Sequence, residues 1–210
     1  MSWRDLLNVQ NVEKGFFRSS NNYGIPDIKK DEFEIKELIP YRVDLNRKGT
    51  AHFFLDDYRF ERCWKWADSQ IPELKKYDGV LSPDFSMYTT YPKAFQIWQT
   101  YRNRWCAAYW QAHGIKVIPT ISWSTEESYD FAFLGIEKGS VVAVGTVGVL
   151  NDEYAKKLFL DGFKEMVKRL EPKEILVYGN RLTELDEYKN IRWFEPYMNK
   201  FNYMHKKKGA

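Results

Sequence analysis

Cysteine and histidine are scarce in this chain of 210 residues: there are 2 and 3 of them, respectively. Cys63 and Cys106 each stand beside a tryptophan in segments that read as helix. Two such thiols are expected to be buried and reduced, as in a cytoplasmic protein, rather than paired in a disulfide framework. His52, His113 and His205 lie far apart, and no Cys/His spacing resembles a zinc site. The longest clean apolar stretch, Val141 to Leu150, falls well short of the ~20 residues that span a bilayer, so no membrane role is expected. The opening MSWRDLLNVQN lacks the basic region and apolar block of a secretory leader. No Gly-x-Ser-x-Gly elbow is present, and GTVG (145–148) lacks the full glycine spacing of a dinucleotide loop. Its glycines are read as permitting close backbone approach. Charge of one sign is also lacking. With 32 basic and 29 acidic residues the net is +3, which is no clustered basic face for nucleic acid.

What is abundant is apolar and aromatic side chain, 44% and 17% of residues. That content can fill a core, and the length suits a single domain. Residues 1–50 read as irregular, with ELIPYR (37–42) as a short strand within them, 51–195 as the ordered unit, and 196–210 as a polar tail. AHFFLDD (51–57) is an apolar run ending in acids. The stretch 58–77 is largely helical with a break expected at Pro72, and 78–88 carries a brief apolar run followed by Pro-Asp. The segment 91–114 is the clearest helix, with Pro92 in its first turn and Gly114 at its carboxyl cap. Phe95, Trp98, Arg102, Trp105 and Tyr109 recur at spacings of three and four, and the aromatic members are expected to face the core. IKVIPTISW (115–123) reads as a strand and 124–136 as a loop with a short helix capped by Ser124 or Thr125. SVVAVGTVGVL (140–150) reads as a buried strand, and 151–172 as an amphipathic helix capped by Asn151 or Asp152. KEILVYGN (173–180) and NIRWFEP (190–196) read as further strands.

Strand and helix therefore alternate, with strand starts every 25–35 residues or so, the size of a βαβ unit. The expected fold class is α/β: repeated βα units around a mostly parallel sheet, either open or an incomplete barrel. Functional groups in such folds gather at the carboxyl ends of the strands. The runs here end in Asp56, Asp57 and Arg59; in Asp84, Ser86 and Tyr88; in Ser122, Trp123 and Ser124; in Gly145, Thr146 and Gly148; and in Tyr178, Gly179 and Asn180. In register, these would share one rim. Asp57 and Asp84 are the catalytic candidates, and a divalent metal held by the carboxylates is one reading. One member of the Asp56–Asp57 pair is expected to cap a helix instead, and Asp84 to organise a turn. Asp56, Arg59, Ser86, Tyr88, Ser122, Trp123, Tyr178 and Asn180 are ligand-binding candidates, with Trp123 and Tyr178 read as stacking platforms or as core. His52 is expected to open its strand, at the end away from the rim, and His113 to cap a helix end.

HFFLDDYRFERCW (52–64), LSPDFSMY (81–88), QIWQTYRNRW (96–105), GIKVIPTISW (114–123) and ILVYGN (175–180) together resemble a family of phage, integrative-element and bacterial proteins, known as a domain of unknown function. The resemblance covers roughly residues 35–195 and implies a mobile-element or phage context. Three functions are ranked on these grounds. The first is a binding protein that holds a small polar or nucleotide-like ligand, or a host protein, at the strand-end rim, in a role such as counter-defence. The second is a metal-dependent hydrolase or phosphodiester-acting enzyme using Asp56, Asp57 and Asp84. The third is a nucleic-acid binder using Lys206, Lys207 and Lys208, with affinity that would fall steeply with salt. The aromatic excess also suits a homodimer.

Overall fold

A computed structural model describes residues 11, 14–42, 48–149 and 152–196. The structure is α/β, and every described strand pairing is parallel. Strands β1 (Leu38–Pro40), β2 (Thr50–His52), β3 (Gly79–Leu81) and β4 (Val117–Ile118) form one sheet in that order. Strands β5 (Val141–Gly145), β6 (Glu174–Tyr178) and β7 (Ile191–Phe194) form another. A parallel bridge between Thr120 and Ala143 joins the two sheets, with the Ala143 amide donating to the Pro119 carbonyl at 2.9 Å and the Ile121 amide to Ala143 at 2.8 Å. Strand order thus follows chain order throughout.

The joined sheet is strongly curled. Neighbouring strands stand about 4.8 Å apart, so β2 and β6 would be some 19 Å apart in a flat sheet. Yet the rings of His52 and Tyr178 approach to 4.1 Å. Leu38, Leu81, Ile118, Ala143 and Leu176 meet in one buried cluster drawn from both sheets, which is the filling of the curl. No closed barrel forms among the described residues. Between β7 and β1 the gap is spanned by a side chain, Arg192, which donates to the Ile35 carbonyl at 3.0 Å.

Helices clad the outside: α1 (Arg62–Lys65), α2 (Ala67–Leu74), α3 (Lys93–Ala112) and α4 (Glu153–Leu170). Two apolar clusters hold them, one under α1–α3 around Phe53, Phe60, Trp105 and Trp110, the other under α4 around Phe163, Met166, Val144 and Val177. Asp152 caps α4 by accepting from the Tyr154 amide at 3.1 Å, and Gly114 beyond α3 takes φ +76°. Cys63 and Cys106 are buried free thiols.

Several expectations are corrected. The break in 58–77 falls at Trp66 (φ −130°), and Pro72 sits inside α2. Strands are shorter than the apolar runs: AHFFLDD leaves the sheet after His52, which therefore closes β2 at its carboxyl end instead of opening it. His52 is fully buried, and the Phe54 amide donates to its Nδ1 at 3.3 Å. Of the α3 stripe, Trp105 and Tyr109 are core, but Phe95 and Trp98 are 43% and 39% exposed. The reason is coverage. The segment around Gly15, Phe17 and Lys29 lies over the carboxyl half of α3, with Phe17 edge-on to Trp105 at 5.7 Å and the Gly15 carbonyl accepting from Trp105 Nε1 at 3.2 Å. Nothing comparable among the described residues covers the amino half.

Candidate functional site

The carboxyl ends of β2–β5 open on one groove, formed by two contiguous cavities of about 360 and 740 Å³. Asp84, Met87, Tyr88, Ser122, Trp123, Gly145 and Val147 line both. Asp56, Asp57, Arg59 and Ser86 line the larger. Sequence reasoning thus collects eight of its ten candidates at one mouth. The other two are placed elsewhere. Tyr178 is buried beneath the groove, its ring stacked on Phe54 at 5.1 Å and an 8° angle. Asn180 is exposed and lines neither cavity; its carbonyl accepts from Thr146 Oγ1 at 2.8 Å. Of the GTVG glycines only Gly145 permits a close approach, since a Cβ there would lie 2.8 Å from the Phe54 ring; Gly148 has open space around it and instead takes φ +81°.

The three acids differ in state. Asp56 occupies the cap position of the 3-10 turn Asp57–Arg59, but its side chain makes no capping bond. Asp57 is tied down: it accepts from Ser86 Oγ at 2.8 Å and from the Ser86 amide at 3.2 Å, and Gln99 Nε2 stands 3.5 Å away. Ser86 is therefore engaged in holding two loops together. Asp84 accepts on Oδ1 from the Ser122 hydroxyl, and no hydrogen bond among the described residues reaches its Oδ2. Burial pushes its pKa up to about 7, with the neighbouring Asp57 charge adding to the rise and the Ser122 donor opposing it.

Trp123 is fixed from behind by α4. Its Nε1 donates to the Leu158 carbonyl at 3.1 Å, and its ring tilts against Phe159 at 5.4 Å. The ring fits because residue 162 is glycine: a Cβ there would fall 2.1 Å from Nε1.

A row of polar side chains on α3 supports the strand ends, and the sequence reading did not find its amide members, Gln96, Gln99 and Asn103. Asn103 accepts from Ser82 Oγ at 2.9 Å and donates to the Pro83 carbonyl at 2.5 Å and the Thr120 carbonyl at 3.2 Å. Arg104 is fully buried and donates to Thr120, Ala132 and Leu134 carbonyls at 3.0, 2.8 and 3.0 Å. Burial without a carboxylate partner lowers its pKa to about 9. Gln96 accepts from Ser124 Oγ at 2.5 Å. Gln99 receives Arg102, which also grips Glu61 at 2.8 and 2.9 Å and lies 3.8 Å over the Phe85 ring. The available signal was Gln96, Gln99 and Asn103 recurring at three and four residues, a polar stripe that reads as a solvated face until the fold shows it buried.

Among the described residues no group of three or more His, Cys, Asp or Glu is arranged to hold a metal ion, and no helix is long and apolar enough to cross a membrane. Lys206, Lys207 and Lys208 lie outside the described residues.

Comparison with known proteins adds a lineage. The profile of a domain of unknown function (DUF4417) matches residues 17–195. The Gene 1 protein of Mycobacterium phage L5 is 40% identical over 181 residues, covering 83% of this chain and 77% of the phage protein. The Gene 1 protein of Mycobacterium phage D29 is 36% identical over 197 residues, covering 88% and 72%. No solved structure matches.

Proposed function

Given that the chain belongs to the DUF4417 family, which has relatives in phages, we propose that it is a binding protein that holds a small, polar, ring-bearing ligand in the groove at the strand ends. The observation that carries this is the chemistry of the smaller cavity of the groove: a largely apolar and aromatic concavity with one carboxylate, Asp84, whose Oδ2 is uncommitted. Ligand sites commonly pair an apolar wall with a few placed polar groups. The volumes fall in the range that such sites occupy, about 300–1,000 Å³. The supporting α3 residues fix the strand ends before any ligand arrives, which limits the ordering cost of binding. Capturing a nucleotide-like host signal is the accessory role that this reading favours.

Mass spectrometry of compounds released on denaturation, after incubation with nucleotides and cell extract, tests the proposal. Val147 is 63% exposed and lines both cavities. A retained compound that disappears in Val147→Trp supports the reading. No retained compound, or one held equally by the variant, counts against it.

A second reading is favoured by one observation. A carboxyl with a pKa near 7 is suited to general acid–base catalysis at neutral pH. In a hydrolase on this groove, Asp84 would move the proton, while Asp57 would position the Ser86 loop. Asp56, Asp57 and Asp84 as a metal-binding trio fits less well, because the Asp57 oxygens are already engaged. Such an enzyme loses turnover in Asp84→Ala with its fold intact.

A further inference from the structure

We infer that the groove takes a nucleoside-like ligand, with the heterocycle in the smaller cavity donating N–H to Asp84 and any phosphate in the larger cavity beside Arg59. This rests on the binding reading above and adds the ligand's class and orientation.

The smaller cavity, of about 360 Å³, has Asp84 as its single carboxylate among the described residues, and no lysine, arginine or histidine lines it. An anion seated there would meet a carboxylate and find no cation. Two of the hydroxyls are spent, since Ser122 donates to Asp84 and Ser124 donates to Gln96, while Tyr88 and Thr89 also line the cavity. The charged acceptor left for a ligand is Asp84 Oδ2, in a mostly apolar surround. An exocyclic ring amine is a matching donor, and a carboxylate accepting from one is a recognised base contact. The walls suit a flat ring. Trp123 is immobilised by Leu158 and by the notch at Gly162, so its face is presented without loss of side-chain freedom. Tyr88, 59% exposed, lines the same space. Aromatic faces accept any base by stacking.

The larger cavity differs: Asp56 and Asp57 join Asp84 in its lining, and it also holds a cation. Arg59 is the one cation that lines either cavity among the described residues, and its side chain is exposed. A guanidinium is suited to a phosphate in a way that the neighbouring Ser86, already committed to Asp57, is not. The smaller cavity thus suits a ring, and a phosphate meets a cation only beside Arg59, away from the ring.

Calorimetric titration of the full chain with adenosine, uridine, AMP, ribose 5-phosphate and inorganic phosphate tests this. Adenosine, with an exocyclic amine, is expected to bind, and uridine more weakly. Asp84→Asn, checked for an unchanged far-UV spectrum, should weaken adenosine by about tenfold or more, the loss of one charged hydrogen bond. Arg59→Ala should bring AMP down to the affinity of adenosine and leave adenosine unchanged. Tighter binding of ribose 5-phosphate or phosphate than of adenosine, indifferent to Asp84→Asn, overturns the orientation but leaves a binding groove. Silence from all five probes overturns the inference as well. In that case, a different compound retained from extract and lost in Val147→Trp keeps the broader reading, and none retained removes both.

Discussion

Replacing Gly162 with alanine would ordinarily help a helix, since glycine is about 1 kcal/mol less favourable than alanine in a helix interior. Here the opposite sign is expected. The new methyl would sit 2.1 Å from Trp123 Nε1, 2.3 Å from its Cδ1 and 2.5 Å from its Cε2. Those are impossible contacts with a rigid ring, so either α4 moves off the sheet or the indole leaves its slot. Overpacking of this kind costs about 1–3 kcal/mol. Losing the bond from Nε1 to Leu158 adds about 1 kcal/mol. After the propensity gain, a net destabilisation of about 1–3 kcal/mol is expected. Urea unfolding followed by circular dichroism at 222 nm measures it. Trp123→Ala in the same background should remove most of the penalty, a double-mutant cycle with coupling above about 1 kcal/mol. A Gly162→Ala variant at least as stable as the parent would refute the claim that α4 locks the Trp123 wall.

Two titrations should pull in opposite directions. Asp84 is held near 7, above the ordinary carboxylate value of 3.8, so the native state favours its protonated form. Its contribution is greatest at low pH and is lost as pH rises from about 4 to about 7, at most on the order of 3 kcal/mol between pH 5 and 7. Asp84→Asn should flatten that slope in urea unfolding, and an unchanged slope would count against the assigned burial. His52 is driven by burial to about 3, so it is neutral in the native state. Its contribution is intact above the ordinary value of 6.5 and falls by roughly 1.4 kcal/mol per unit below it. His52→Gln should be less acid-sensitive than the parent between about pH 6 and 4, and equal sensitivity would contradict the burial. Asn103→Leu should cost about 2–4 kcal/mol, because it leaves the Ser82 hydroxyl without its acceptor and the Pro83 carbonyl without its donor, and removes one acceptor of Arg104; a loss under about 1 kcal/mol would show that the α3 row is dispensable.

The α/β alternation was legible because each unit carries its own signals, such as Asp152 before α4 and Gly114 after α3. Convergence at one mouth followed from parallel strands alone, which is why Asp57, Asp84, Ser122 and Trp123 were found. Local pattern does not say where an apolar run leaves the sheet. The chain turns away after His52, so the imidazole enters the curl beside Tyr178, and Tyr178 becomes core instead of a platform. Nor does it say which helix stripe will be covered. Gln96, Gln99 and Asn103 look solvated and are buried, whereas Phe95 and Trp98 look buried and are partly exposed. Both reversals come from long-range packing: strand ends that need donors, and an amino-terminal segment that shields only half of α3.

The central claim is that the cavity walled by Trp123, with Asp84 at its base, is where this protein meets its ligand. A crystal structure of the full chain grown with adenosine reads this out directly. Density for the ring between Trp123 and Tyr88, with a ring nitrogen within hydrogen-bond distance of Asp84 Oδ2, is the expected result. Adenosine bound at another surface with this cavity holding only solvent would contradict it.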